Sequence, residues 1–395
     1  KLETDFVLIK VKDTHQALLD IAALWRRTFT DLTVIAVTGT NGKTTVKEML
    51  RWLLSAVGPT IASVKSYNNH IGVPITLLDI RPYHKFAIVE LGASAAGEIA
   101  PLAKAVSPDV AVVTNVGKAH LEKFKTVEKI AETKAEIVKA VRPNGFVVLN
   151  GDDRSYPLFL ENARTKTVTY AVDSNHADIR PTEVVMQTSS IHFDIFGTST
   201  KLPMGGKHNL YNALAALTVI DGLGLDSARS ANRLRGFTPP PMRGNIFYVG
   251  PVVIVNDAFN CNPSSLEASL DYFEQIPSPN KVFVLGDMLE LGKDSEKYHR
   301  EAGKALAESS VGTFIAFGDE AKNAYAEFRS NSDSDALHLP GGSHRKVAEY
   351  LVPLVESGAA IYFKGSRKLK LERAVSELIR GLKNHYVRER AELED

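Results

Sequence analysis

The chain has 395 residues, with 47 Lys plus Arg against 46 Asp plus Glu and a formal charge of +1. At about 150 residues per domain this length predicts two or three domains with room for real cores. The balanced charge excludes a global field that gathers nucleic acid or an anionic membrane surface, so any anion must be held locally.

The single cysteine, Cys261, cannot close an internal disulfide. No apolar run approaches the roughly 18 residues of a membrane span. Together these point to a reducing aqueous compartment, the cytoplasm. The first residue is Lys1 rather than Met, and no signal-peptide pattern follows it. Residues 1–30, with a strand expected at 6–11 and a helix at 14–28, read as the tail of a domain and a linker within a longer chain.

From there strand and helix alternate. Apolar, β-branched runs at 34–37, 86–91 and 110–114 are each followed by helical patterning, at 45–56, 98–105 and 126–141, the order of parallel α/β layers. Residues 166–202 change to alternating strand-like pieces, including 191–196, and two amphipathic helices are expected near 209–222 and 226–234. Pro239, Pro240 and Pro241 cannot continue a helix and predict an extended hinge at a domain boundary. Alternation then restarts with a strand at 252–255, a helix from Ser264, a strand at 282–285, a helix from Ser295, a strand at 313–317, a helix from Glu320, and a strand at 361–363 before a last helix. The predicted fold class is α/β: a central parallel-sheet domain over 31–238, then a smaller doubly wound, Rossmann-like domain over 239–395.

The segment from Val34 to Thr45 carries the strongest chemical signal. A buried strand runs into Gly39-Thr40-Asn41-Gly42-Lys43-Thr44-Thr45, and a helix begins near Lys43. Glycines let successive backbone amides face one anion, the helix N-terminus adds partial positive charge, and Lys43 places a point charge on outer phosphates. Thr44 is then placed to ligate Mg²⁺. The loop is two residues shorter than the usual G-x-x-x-x-G-K-[ST], and a plain glycine turn is its bland alternative.

This loop resembles that of the Mur ligases, ATP-dependent enzymes that extend the peptide of the bacterial cell-wall precursor. The resemblance runs from about Thr14 to Glu372, and four segments narrow it to the MurF type, which adds D-Ala-D-Ala to the UDP-linked muramoyl tripeptide. They are Tyr67-Asn68-Asn69-His70-Ile71-Gly72-Val73-Pro74, Asp257-Ala258-Phe259-Asn260-Cys261-Asn262-Pro263, Val284-Leu285-Gly286-Asp287-Met288-Leu289-Glu290-Leu291-Gly292, and Lys364-Gly365-Ser366-Arg367. The resemblance implies a P-loop ATPase-like central domain, with Gly39 to Thr45 as its phosphate loop, and ATP and Mg²⁺ as cofactors.

Residue by residue it implies more. Glu90 lies at the carboxyl end of its strand, where a carboxylate can hold Mg²⁺ or serve as a helix cap; the resemblance makes it a metal ligand. His120, which alone reads as an ordinary loop histidine, becomes a ligand for a second Mg²⁺. Lys134 has Ile130, Ala131, Ile137 and Val138 on its helical face and no acid at ion-pairing spacing, so its bland alternative is a lysine snorkelling over apolar surface. In most ligases of the family the matching lysine is carbamylated and becomes a metal ligand. Thr44, Glu90, His120 and Lys134 form the implied metal set, and Lys43, Glu90, His120 and Lys134 the catalytic set. Asn212, Arg243 and Asp257 would hold the nucleotide, Arg243 at the phosphates and Asp257 at the ribose.

The expected substrate contacts are Asn68, Asn69, Phe259, Asn260, Asn262, Asp287, Lys364 and Arg367. The chain departs from the family pattern at Phe259, usually Tyr, at Ser94, commonly Asn, and at His70, frequently Glu. The implied reaction is amide formation through an acyl phosphate, completed when the two domains close. Expected partners are the UDP-muramoyl peptide and D-Ala-D-Ala, with no nucleic acid and no membrane span, acting on a monomer. Two alternatives stand beside it: a related ligase with a different acceptor, and a non-catalytic ATP-binding scaffold.

Overall fold

The computed structural model describes residues 9–340, 344–353 and 358–394. The helix expected at 14–28 is present as α1 (Thr14–Arg27), with Asp13 as its side-chain cap. Half of the strand expected at 6–11 lies outside the described residues, and residues 9–11 are irregular.

A six-stranded parallel sheet follows, made of β1 (Thr33–Thr38), β2 (Thr60–Ala62), β3 (Phe86–Glu90), β4 (Val110–Val113), β5 (Phe146–Asn150) and β6 (Lys166–Tyr170) in the order β2-β3-β1-β4-β5-β6. Its strands are nearly continuous apolar runs because both faces are covered. Along β1, Ile35 and Val37 enter one core while Val34 and Ala36 enter the other. The helices of this part are α2 (Lys43–Leu54), α3 (Gly72–Leu78), α4 (Ile99–Val106), α5 (Leu121–Phe124), α6 (Val127–Lys139) and α7 (Tyr156–Asn162). Strand order reverses at β1, so its carboxyl end opens on the crevice where ligands bind in such sheets.

Beside this sheet stands a small antiparallel one of β7 (Thr182–Met186), β8 (Ile191–Ile195) and β9 (Thr198–Leu202). Between them runs α8 (Lys207–Gly222), followed by α9 (Ser227–Arg233). The amphipathic pattern expected near 209–222 is not found: Leu210, Leu214, Leu217 and Ile220 are buried, and so are Ala213, Ala216 and Val219. The antiparallel sheet explains this, since Ile191, Phe193, Ile195 and Leu202 close the face that would otherwise meet water.

The second six-stranded sheet comprises β10 (Asn245–Val249), β11 (Val252–Asp257), β12 (Lys281–Gly286), β13 (Thr313–Phe317), β14 (Asp335–Leu339) and β15 (Ala360–Lys364), ordered β10-β11-β15-β12-β13-β14. Packed on it are α10 (Pro263–Glu274), α11 (Ser295–Ala307), α12 (Ala321–Asn331), α13 (His344–Leu351) and α14 (Glu372–Glu394). Sequence patterning missed β10, which pairs antiparallel with β11 at the sheet edge and makes the sheet mixed, and it missed β14 and α13. Two apolar cores again cover the two faces.

Candidate active site

The loop after β1 is shaped by its glycines. Gly39 has φ of +150° and Gly42 +82°, and a Cβ at Gly39 would lie 1.8 Å from Thr114 Oγ1. No other residue fits there. The end of β4 then fixes the loop: Thr40 N donates to Asn115 O (2.8 Å), Asn41 N donates to Asn115 Oδ1 (2.9 Å), and Thr114 Oγ1 donates to Asn41 O (2.6 Å). Lys43 curls back, its Nζ donating to Gly39 O (2.9 Å) and Thr40 O (3.0 Å). Burial depresses the affinity of Lys43 for its proton, and the nearby Glu90 carboxylate works against that.

Thr44 is the hub. Its Oγ1 donates to Glu90 Oε2 (2.9 Å) and accepts from an Arg243 guanidinium nitrogen (2.9 Å). The other Glu90 oxygen accepts from Asn68 Nδ2 (2.8 Å), and Glu90 N donates to Ser63 Oγ (3.1 Å). Arg243 lies over the Phe259 ring, 4.0 Å from its centroid. That stacking needs only an aromatic face, so the phenol lost at position 259 is not required to seat the guanidinium.

The second sheet therefore meets the first across this loop. Asn262 Nδ2 donates to Asn41 Oδ1 (2.9 Å), Lys118 N donates to Ser264 Oγ (2.9 Å), and Tyr272 OH bonds Thr188 O. Between the two sheets lies a cavity of about 980 Å³ lined by Thr40 to Thr45, Glu90 and His120 from one side and Arg243, Asp257 and Lys364 from the other. Asn212, at the start of α8, also lines it and packs against Gly42, whose Cβ would lie 2.2 Å from Asn212 Oδ1.

The expected sites divide. Asn68, Asn69, Phe259, Asn260 and Lys364 line the cavity. Three expected substrate contacts do not line it, and the side chain of each is engaged elsewhere. Asn262 caps α10, its Oδ1 accepting from Ser265 N (2.9 Å) while its amide holds Asn41. The Asp287 carboxylate accepts from the backbone of Asp319, Glu320 and Ala321 at the start of α12. Arg367 pairs with Glu372 at the surface (2.7 Å). Asp257, expected at the ribose, has Oδ2 engaged by Lys364 Nζ and Ser269 Oγ.

Of the four expected metal ligands, Thr44, Glu90 and His120 line this cavity, and His120 and Lys134 line a small pocket together with Lys43. Thr44 and Glu90 converge as oxygen donors that suit a hard cation. Lys134 does not snorkel: it is 4% exposed, and its Nζ donates to Gly39 O (2.8 Å). Burial, with a smaller push from Lys43, moves its proton affinity well down. Its apolar helical face packs inward under the loop. Side-chain Nδ1 of His120 lies 2.6 Å from Glu290 Oε2 of the second sheet's side. Among the described residues no three or more His, Cys, Asp or Glu side chains group to hold a metal.

Several residues in or beside the cavity escaped sequence reasoning. Asn115 and Thr114 buttress the loop, and fully buried Lys47 ties the backbone of Ser63 and Lys65 (both 2.6 Å) beside Glu90. At the other end Asp152 accepts from Tyr211 OH (2.8 Å). His208 lines the wall against Tyr272, and burial lowers its pKa to about 4. Position after a strand end was the available signal for Asn115 and Asp152.

A parallel and a mixed sheet facing each other across a glycine-shaped phosphate loop fit a nucleotide-dependent enzyme, and the chain belongs to the Mur ligase family. Residues 37–220 match the Mur ligase middle domain and 242–367 the Mur ligase, glutamate ligase domain. A UDP-N-acetylmuramoyl-tripeptide–D-alanyl-D-alanine ligase from Bacillus subtilis is 32% identical over 94% of this chain and 81% of its own length. MurF from Acinetobacter baumannii superposes with a TM-score of 0.88 at 30% identity, covering 96% of this chain and 83% of that one. MurF from Thermotoga maritima in complex with ADP does so at 0.87 and 28% identity, covering 98% and 88%. Within the family the chain is of the MurF type. Among the described residues no helix is long and apolar enough to cross a membrane.

Proposed function

We propose that this chain joins D-Ala-D-Ala to a UDP-muramoyl tripeptide through an acyl phosphate, with ATP in the cavity between the two sheets. The ligase class and its ATP dependence follow from family membership; the assignment of residues is ours. The acceptor carboxylate attacks the γ-phosphorus, ADP leaves, and the dipeptide amine attacks the activated carbonyl, expelling phosphate. The loop amides from Gly39 to Thr45 cradle the phosphates, Lys43 and Arg243 face the charge that spreads over them, and Asn212 holds the nucleotide.

Thr44 Oγ1 and Glu90 would hold Mg²⁺, which supplies charge neutralisation at the phosphate oxygens when bound. Lys134 supports the loop through Gly39, and its amine, biased toward the neutral form, is the one available for carbamylation. Asn68, Asn69, Phe259, Asn260 and Lys364 form the substrate wall, and Asp257 remains the ribose partner once Lys364 turns to substrate. The same reading divides the chain at the proline hinge, with 31–238 and 239–395 as its two domains and 1–30 leading into them. It also places the reaction in the cytoplasm, on a monomer.

One observation carries this: Arg243, beyond the hinge, is bonded to Thr44 of the phosphate loop. A phosphate-release assay supplied with ATP, muramoyl tripeptide and D-Ala-D-Ala tests it. Release should need both acceptor and dipeptide; release that ignores the dipeptide would count against the amide-forming step.

A further inference from the structure

We propose that Lys47 is a positioning residue: from the helix that follows the phosphate loop it fixes the segment between β2 and α3, and with it the Ser66, Asn68 and Asn69 side chains that meet the muramoyl peptide. The inference rests on the ligase reading above. Lys47 lies one turn beyond Thr44 on α2 and is 0% exposed. An ammonium has three protons to donate, and burying it is costly unless they are used. Each finds an acceptor: Ser63 O and Lys65 O, both at 2.6 Å, and Glu48 Oε1 at 2.8 Å. Core filling alone asks for an aliphatic side chain here. What a lysine adds is a charge-assisted grip on two backbone carbonyls.

The gripped segment has little else to hold it. Of residues 63–70 only Ser63 is buried, and the large apolar side chains Val64 and Tyr67 are 56% and 46% exposed. No apolar anchor therefore fixes residues 64–67. Lys65 sits at φ +50°, a left-handed backbone that a non-glycine residue keeps only where its surroundings impose it. Its carbonyl is one of the two that Lys47 holds. On either side of this stretch Ser63 Oγ accepts from Glu90 N (3.1 Å) and Asn68 O accepts from Gly92 N (2.8 Å), which lays the segment along the end of β3. The fit there is close, since a Cβ at Gly92 would stand 2.7 Å from Asn68 Cγ.

What the segment carries is chemical. Ser66, Asn68 and Asn69 line the cavity. Ser66 Oγ lies 3.4 Å from Thr44 Oγ1, and Asn68 Nδ2 donates to Glu90 Oε1 (2.8 Å). This wall thus adjoins the phosphate loop, and its hydroxyl and amide groups face the place where a carboxylate must approach the γ-phosphate. Lys47 joins the two parts because its backbone belongs to α2 while its Nζ holds the wall. The phosphate loop is fixed separately, by Thr114 and Asn115 at the end of β4. Loss of the Lys47 amine should therefore move the wall and spare the nucleotide.

The test compares Lys47→Met and Lys47→Gln with wild type. Met keeps the length and the apolar stem but donates nothing, Gln keeps an amide donor, and in both Glu48 retains Arg51 as its partner (2.7 Å). The readings are amide hydrogen exchange over residues 63–69 and over α2, KM for the muramoyl tripeptide, and ATP affinity by calorimetry. In Met, exchange over 63–69 should quicken at least about tenfold while α2 stays near wild type. The tripeptide KM should rise about tenfold with ATP affinity held within about twofold, and Gln should fall between wild type and Met. Unchanged exchange over 63–69 or an unchanged tripeptide KM overturns the proposal. So does an ATP affinity that falls as far as the tripeptide KM rises, the mark of a general loss of structure. If Met does not fold, Gln decides on the same readings. Exchange needs no substrate, so wild type failing the phosphate-release assay would sink the ligase reading, whereas unchanged exchange in the variants would sink the role of Lys47.

Discussion

Gly39 illustrates how a single residue constrains the site. Its backbone angle and the 1.8 Å approach of Thr114 Oγ1 to a built Cβ leave no space for a methyl group. Gly39→Ala should destabilise the protein by about 2 kcal/mol and weaken ATP binding, read from urea midpoints and calorimetry. His208 supplies a pH dependence. Burial is the main cause of its low pKa of about 4, with Lys364 pushing the same way and Asp257 opposing. The unfolded chain, with its histidine near pH 6.5, binds more protons in that window, so the contribution is present above 6.5 and is lost as pH falls toward 4. His208→Gln should flatten the drop in urea midpoint between those values; an equally steep drop would assign it to other groups, buried His299 among them. At this scale the glycine loop, Lys43 and Glu90 were legible because backbone freedom and strand-end position are written in the residue types. The burial of Lys134 was half legible: its apolar face was visible, but whether that face met core or water depended on α6 packing beneath the loop.

Among the elements, α12 shows how a residue expected at the substrate can also hold a helix start. Asp287 looked like a substrate contact, yet its carboxylate accepts three backbone N–H groups at a helix start. Asp287→Ala should cost about 2 kcal/mol in urea unfolding, as strong caps do, while ATP affinity at neutral pH stays near wild type. A raised KM for D-Ala-D-Ala without lost stability would support the substrate role instead. Asn262 differs because it caps α10 and also holds Asn41 of the phosphate loop, so Asn262→Ala should lower both stability and ATP affinity. Strands with continuous apolar runs were legible, since both sheet faces are buried. The edge strand β10 was overlooked although Ile246 to Val249 is a continuous apolar, β-prone run; that Phe247 and Tyr248 lie exposed at a sheet edge is set by the tertiary fold, not by residue type. The uniform burial of α8 was not legible either: it depends on a separate antiparallel sheet covering the outer face.

Across the whole molecule, function depends on two layers brought together at one loop. The prolines at 239–241 marked where the chain turns from one to the other, but no local pattern could show that Arg243 reaches Thr44, a contact spanning 199 positions of sequence. The account's central claim is that both halves grip one nucleotide. Calorimetric titration of ATP with Mg²⁺ into wild type, Lys43→Ala and Arg243→Ala tests it most directly. Each substitution removes a buried or half-buried cation from the phosphate site, and each should weaken binding at least about tenfold. Wild-type affinity in Arg243→Ala, with Lys43→Ala impaired, would confine the nucleotide to the first half and contradict the claim.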